Sequence, residues 1–201
     1  YRGYRGEGGV SPDSQVETFA AIRLHVDNWR WADVPFCIRT GKCLPTTATE
    51  VLVELNRPPH AIFDTAPPNR SNYFRFRVSP DVFIAISAQA KVPGDRLTGE
   101  DVVLVARSHG GDEMMPYERL LGDALRGDAT LFTSESGVEA AWRIVEPILG
   151  NTTPLHQYEA GSWGPVEADR IVADIGGWRT PTLADELKAR LFAPPQGHEP
   201  Q

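Results

Sequence analysis

Along the first 107 residues, apolar and polar side chains alternate with a period of two, the mark of antiparallel strands that cover one face. In 16–27, Ala20, Ile22, Leu24 and Val26 share one side, and Arg23, His25 and Asp27 the other. A second run covers 34–39. In 50–55, Val51, Val53 and Leu55 alternate with Glu50 and Glu54. Segment 73–78 sets Phe74, Phe76 and Val78 opposite Tyr73, Arg75 and Arg77, and 82–90 sets Val82, Ile84, Ile86 and Ala88 against Phe83, Ala85, Ser87 and Gln89. A sixth run, 101–106, is apolar enough to be buried. The breaks between runs are turn chemistry: Pro58-Pro59, Pro67-Pro68-Asn69, Ser79-Pro80-Asp81 and Pro93-Gly94-Asp95.

Beyond residue 112 the period lengthens. Tyr117, Leu120, Leu121, Ala124 and Leu125 fall on one face of an amphipathic helix ending near Gly127. Val138, Ala141, Trp142 and Val145 describe a second helix that Pro147 ends or kinks. Pro165 opens a third, with Ala168, Ile171, Val172 and Ile175 inward and Gly176-Gly177 as its stop. A short fourth helix is predicted through Leu183, Leu187 and Leu191. Tyr117, Leu120, Leu121, Trp142 and Ile148 are expected in the core. Arg75 and Arg77 line either a solvated face or a dimer interface, and Glu118 and Arg119 read as ion partners. Strands first and helices after predict an α+β fold: one large, mostly antiparallel β-sheet with helices packed on one face, in a single domain over 1–201.

Charge narrows the function. Twenty-seven acidic residues against 20 basic ones leave a net charge of −7, with no dense basic cluster, which argues against a nucleic-acid partner or an anionic membrane surface. No apolar run approaches the roughly 18 residues of a membrane span, and the first residues lack the apolar stretch of a signal peptide. Two cysteines, Cys37 and Cys43, are too few for a disulfide scaffold and predict reduced thiols in a cytoplasmic protein.

Most familiar motifs are missing. Gly6-Glu7-Gly8 grazes a dinucleotide fingerprint, but no strand precedes it and Pro12 lies just beyond, so it reads as loop. His25, His60, His109, His156 and His198 are scattered without metal-ligand spacing, and Cys43 has no histidine near it in sequence to serve as a base. The informative stretch is 31–44, where a strand ends in Arg39, Thr40, Gly41 and Lys42. A planar guanidinium fork and a compact ammonium bracketing a glycine turn suit an anion or phosphate clamp. The competing reading is two solvated cations at a loop.

Four ordered blocks weigh on that choice. Asn28-Trp29-Arg30-Trp31 through Arg39-Thr40-Gly41-Lys42 is the first. Tyr117-Glu118-Arg119-Leu120-Leu121, followed by Gly127-Asp128 and Thr130-Leu131-Phe132, is the second. Glu139-Ala140-Ala141-Trp142-Arg143-Ile144-Val145 with Pro147-Ile148-Leu149 is the third; Tyr158 with Gly161-Ser162-Trp163-Gly164-Pro165 and Glu167-Ala168-Asp169 is the fourth. Together, from about residue 16 to 175, they closely resemble the C-terminal α+β domain of the glucose-6-phosphate dehydrogenase family.

That resemblance implies an NADP-dependent oxidoreductase of the oxidative pentose phosphate pathway, which oxidises D-glucose 6-phosphate to 6-phospho-glucono-1,5-lactone. It implies a homodimer formed through the β-sheet and a substrate site shared with an N-terminal Rossmann domain. Lys42 matches the family lysine that contacts the sugar phosphate. Thr47 stands where many members carry a second basic substrate ligand. Arg39 matches an arginine that in some members contacts a second, structural NADP. Arg77 matches another position of that second site, but Ala48, Leu52, Ala85 and Ser87 occupy the places of others, so it is not expected here. The family's GxxGDLAxR and R-I-D-H-Y-L-G-K segments, the latter carrying the general-base histidine, match nothing in these residues. The catalytic base and the main NADP seat are therefore expected outside them, and the 201 residues alone are expected to be inactive. The rival reading is a non-catalytic dimerisation or regulatory domain resembling the dehydrogenase.

Overall fold

The computed structural model describes residues 1–60, 62–63, 71–107, 115–150 and 152–181. The chain divides into two compact units, residues 1–44 with 110–175 and residues 45–109 with 176–201. The fold is α+β, with every strand pair antiparallel. The six expected strands form, but as a two-stranded and a four-stranded sheet instead of one. The break falls after the second strand, where Cys43 turns at a left-handed φ of 51° and Pro45 has no N–H to give to a ladder.

In the first unit, β1 (Phe19–Leu24) pairs with β2 (Phe36–Gly41), Phe19 opposite Gly41 and Leu24 opposite Phe36. This register puts Phe19, Ala21 and Arg23 on one face with Gly41, Arg39 and Cys37. That face, the more polar one, is the covered one. The segment Val166–Ile175 packs on β1, wound as a 3-10 helix and so tighter than the α-helix its spacing predicts. Ala168 and Val172 are buried from it, while Ile175 is exposed. Arg23 reaches across to donate to the Ile171 carbonyl at 3.2 Å and to the Asp174 carboxylate at 2.7 Å. On the opposite face of β2, Ile38 stays 49% exposed.

Two α-helices complete this unit. Helix α1 (Pro116–Arg126) opens on proline, whose missing N–H would have no partner there in any case, and stops at Gly127 with φ 70°. Helix α2 (Glu135–Val145) is capped by Ser134, whose hydroxyl accepts from the Gly137 N–H. Their apolar stripes form where the spacing predicts, but the expected core is not there. Tyr117 is 81% exposed, Leu121 66%, Trp142 58% and Ile148 37%; only Leu120 of the five is partly covered. Periodicity identifies a stripe that needs cover, not the element that supplies it. The one buried residue of α1 is Asp123, paired with Arg126 at 2.5 Å. Glu118 and Arg119 make no ion pair among the described residues.

The second unit is an antiparallel meander of β3 (Thr49–Glu54), β4 (Tyr73–Ser79), β5 (Phe83–Lys91) and β6 (Gly99–Arg107). Its register aligns Val51 with Phe76, Val53 with Phe74, Phe76 with Ile84, and Ile86 with Leu104, making one continuous apolar face. That face is open, with Val51, Ile84 and Leu104 all exposed. Buried instead are Arg75, Arg77, Phe83 and Ala85 on the other side. The Glu50 carboxylate sits 2.9 Å from Arg77 and 3.6 Å from Arg75, and the Arg77 guanidinium lies 4.9 Å from the Phe83 ring centre. The solvated-face reading of these two arginines does not hold, because ion pairing and ring stacking let both cations leave water. The fourth predicted helix lies outside the described residues, and among those described no helix is long and apolar enough to cross a membrane.

The Arg23–Asp174 link ties β1 to its covering helix and carries a pH signature. Arg23 holds the Asp174 carboxyl below its usual range, chiefly through their hydrogen bond. A depressed folded-state pKa contributes stability that is present above the unfolded value of about 4 and is lost as pH falls through the folded one. Asp174→Asn should therefore lower the melting temperature at pH 6–8, and the gap to the parent should close in acid below about pH 4. Equal gaps at neutral and acid pH in thermal melts would contradict the link.

Candidate functional site

The turn after β2 is fixed before its side chains are considered. Gly41 faces Phe19 across the hairpin, and a Cβ there would sit 2.8 Å from the Phe19 ring, so only glycine lets the strands close. One residue on, the Lys42 N–H donates to the Thr18 carbonyl at 2.8 Å. The Cys43 carbonyl accepts from the Gly161 N–H at 2.8 Å. Residues 158–164 thus lie along the strand ends, and a Cβ on Gly164 (φ 103°) would come within 2.4 Å of the same phenylalanine ring.

Tyr158 anchors this arrangement. It is 4% exposed, packs its ring against Phe19 at 5.4 Å between centres, and its hydroxyl donates toward the Lys42 carbonyl at 2.8 Å and the Thr18 carbonyl at 3.0 Å. Both main-chain polar groups of Lys42 are therefore satisfied by fixed partners.

The two cations of the predicted clamp part company here. Strand alternation sends Arg39 to the covered face, where its guanidinium stacks on Trp163 at 4.4 Å from the ring centre. Burial presses the Arg39 pKa down from its ordinary value, with Asp169 acting in the opposite sense. Lys42 is exposed, and its ammonium makes no ion pair or hydrogen bond among the described residues. A solvated, unpaired ammonium on a rigid turn can take an anion without first breaking an internal contact. Thr47 is exposed between β2 and β3 and belongs to the second unit.

The two thiols differ in setting: Cys43 is exposed, while Cys37 is half-buried and burial pushes its thiol pKa up. Tyr158, Trp163 and Gly164 were visible in sequence only as members of a block. Their contacts with β1 and β2 bridge more than a hundred residues, beyond the reach of any local pattern.

Comparison with known proteins bears on what this turn holds. Residues 1–179 match the family model described as glucose-6-phosphate dehydrogenase, C-terminal domain. The glucose-6-phosphate 1-dehydrogenase of Aggregatibacter actinomycetemcomitans is 42% identical over 188 residues, covering 90% of this chain and 38% of that protein. That of Treponema pallidum is 40% identical over 208 residues, covering 94% and 39%. Among solved structures, glucose-6-phosphate 1-dehydrogenase from Mycobacterium avium superposes with a TM-score of 0.79 at 40% identity, over 91% of this chain and 39% of the other. A glucose-6-phosphate dehydrogenase in complex with its substrate glucose-6-phosphate superposes with a TM-score of 0.70 at 28% identity, over 89% and 38%. The chain thus spans about two fifths of the relatives it matches. With the family model covering most of its length and two relatives at 40% identity or above, this chain belongs to the glucose-6-phosphate dehydrogenase family, in the part that forms the C-terminal domain.

Proposed function

We propose that these residues serve an NADP-dependent dehydrogenase that oxidises D-glucose 6-phosphate to 6-phospho-glucono-1,5-lactone, in the cytoplasm and in the oxidative pentose phosphate pathway. Their share is to hold the substrate and to join two copies of the enzyme. The observation that carries the reading is Lys42, an exposed ammonium with no partner among the described residues, whose own N–H and carbonyl are both engaged. A sugar phosphate needs such a group, because a dianion is oriented best by a charge already in place. Thr47 stands where the family resemblance implies a second basic ligand, and its exposed hydroxyl can offer a hydrogen bond and no charge.

NADP, when bound, supplies the acceptor for the hydride leaving C1. The described residues offer it no βαβ cradle, since every strand pair is antiparallel, and we place its seat and the general base outside them. Arg39 keeps the role of a packing cation: its plane is taken by Trp163, which leaves that face unavailable to a second dinucleotide. The work left to this chain is binding and orientation, which lower the barrier by holding C1 at a fixed place.

The open face of the four-stranded sheet supports the second half of the reading. Val51, Phe76, Ile84, Ile86 and Leu104 make a continuous apolar surface of a kind that soluble proteins keep covered. A second copy can cover it by sheet-on-sheet packing, which yields a homodimer.

In the whole dehydrogenase, Lys42→Ala should raise KM for glucose 6-phosphate about tenfold or more, the weight of one charge-assisted contact, with KM for NADP within about twofold. An unchanged KM for the sugar phosphate would overturn the assignment. The purified chain should associate at micromolar concentration in sedimentation, and Ile86→Lys should shift it toward monomer; a monomeric parent chain would refute the dimer surface.

A further inference from the structure

We propose that Tyr158 is a positioning residue for the substrate phosphate, acting through the main chain of Lys42; the proposal rests on the reading of Lys42 as the phosphate's cation. Lys42 is held at both ends of its residue. Its N–H donates to the Thr18 carbonyl at 2.8 Å, and its carbonyl accepts from the Tyr158 hydroxyl at the same distance. The phenol has a single hydrogen, which is shared between the Lys42 and Thr18 carbonyls, and the Thr18 hydroxyl lies 3.4 Å from the same oxygen. The residues flanking the open end of the hairpin, before β1 and after β2, are thus joined through one phenol oxygen.

The two bonds differ in what replaces them. The Thr18 carbonyl keeps the Lys42 N–H if the phenol is lost, whereas the Lys42 carbonyl has the phenol alone among the described hydrogen bonds. Its peptide plane is the one that Cys43 then continues at φ 51°, a conformation a non-glycine residue keeps only where its surroundings impose it. Removing the hydroxyl frees that plane to rotate, and the Lys42 side chain, which has no other tether among the described residues, moves with it. The ring itself remains useful without the hydroxyl, since its packing on Phe19 needs only the aromatic face.

The test is a double-mutant cycle in the whole dehydrogenase with Tyr158→Phe, Lys42→Ala and the pair. Tyr158→Phe should raise KM for glucose 6-phosphate about three- to tenfold, the scale of one neutral hydrogen bond, with kcat and KM for NADP within about twofold. In the Lys42→Ala background the same change should move KM by less than about twofold, because the group it orients is gone. A rise in KM that persists in the Lys42→Ala background, or no rise in the parent, overturns the positioning role while leaving the phosphate reading intact. A Lys42→Ala variant with unaltered KM overturns that reading and this proposal with it.

Discussion

A carbonyl at the end of a strand, left inside a packed surface without a donor, costs about 1–3 kcal/mol. The carbonyl of Lys42 meets this problem where the hairpin stops and the chain must turn away. The Tyr158 hydroxyl answers it from a hundred residues downstream, and in doing so joins the ends of β1 and β2 to the segment that packs along them. Gly41 and Gly164 are compelled by the same contact, since both lie against the Phe19 ring that Tyr158 packs on. The exposed ammonium is thus carried on a residue whose main chain is fixed at both its N–H and its carbonyl.

Both units also place charge where a fold is expected to place hydrocarbon. Arg23, Arg39, Arg75 and Arg77 point to the faces that are covered, each beside a carboxylate or an aromatic ring. The aliphatic faces, with Ile38 in one sheet and Ile84 in the other, lie open. A sheet has two faces and each needs a neighbour. Pairing and stacking let the polar faces be covered within each unit, while the apolar ones stay exposed among the described residues.

This explains what the sequence made legible. Alternation in 73–78 and 82–90 located β4 and β5 and sorted their residues correctly into two sets, because the pleat fixes the period whatever the environment. Which set would be buried was not legible, since that depends on partners. The helix stop at Gly127 was readable from local chemistry, whereas the openings at Pro116 and Ser134 were not singled out. The stripe of Tyr117, Leu121 and Trp142 was found but assigned to a core it does not enter. At the site, Lys42 stood out as a cation after a glycine at a strand end, and Arg39 looked like its twin. Strand alternation separates them, sending one to Trp163 and leaving the other in solvent.

The central claim is that Lys42 recognises the phosphate and not the sugar ring. It is tested most directly by comparing kcat/KM for glucose 6-phosphate with kcat/KM for unphosphorylated glucose, in the whole dehydrogenase and in its Lys42→Ala variant. The preference for the phosphorylated sugar should fall about tenfold or more, with activity on glucose itself little altered. An equal loss on both sugars would mean that the lysine serves the fold or the ring, and would contradict the account.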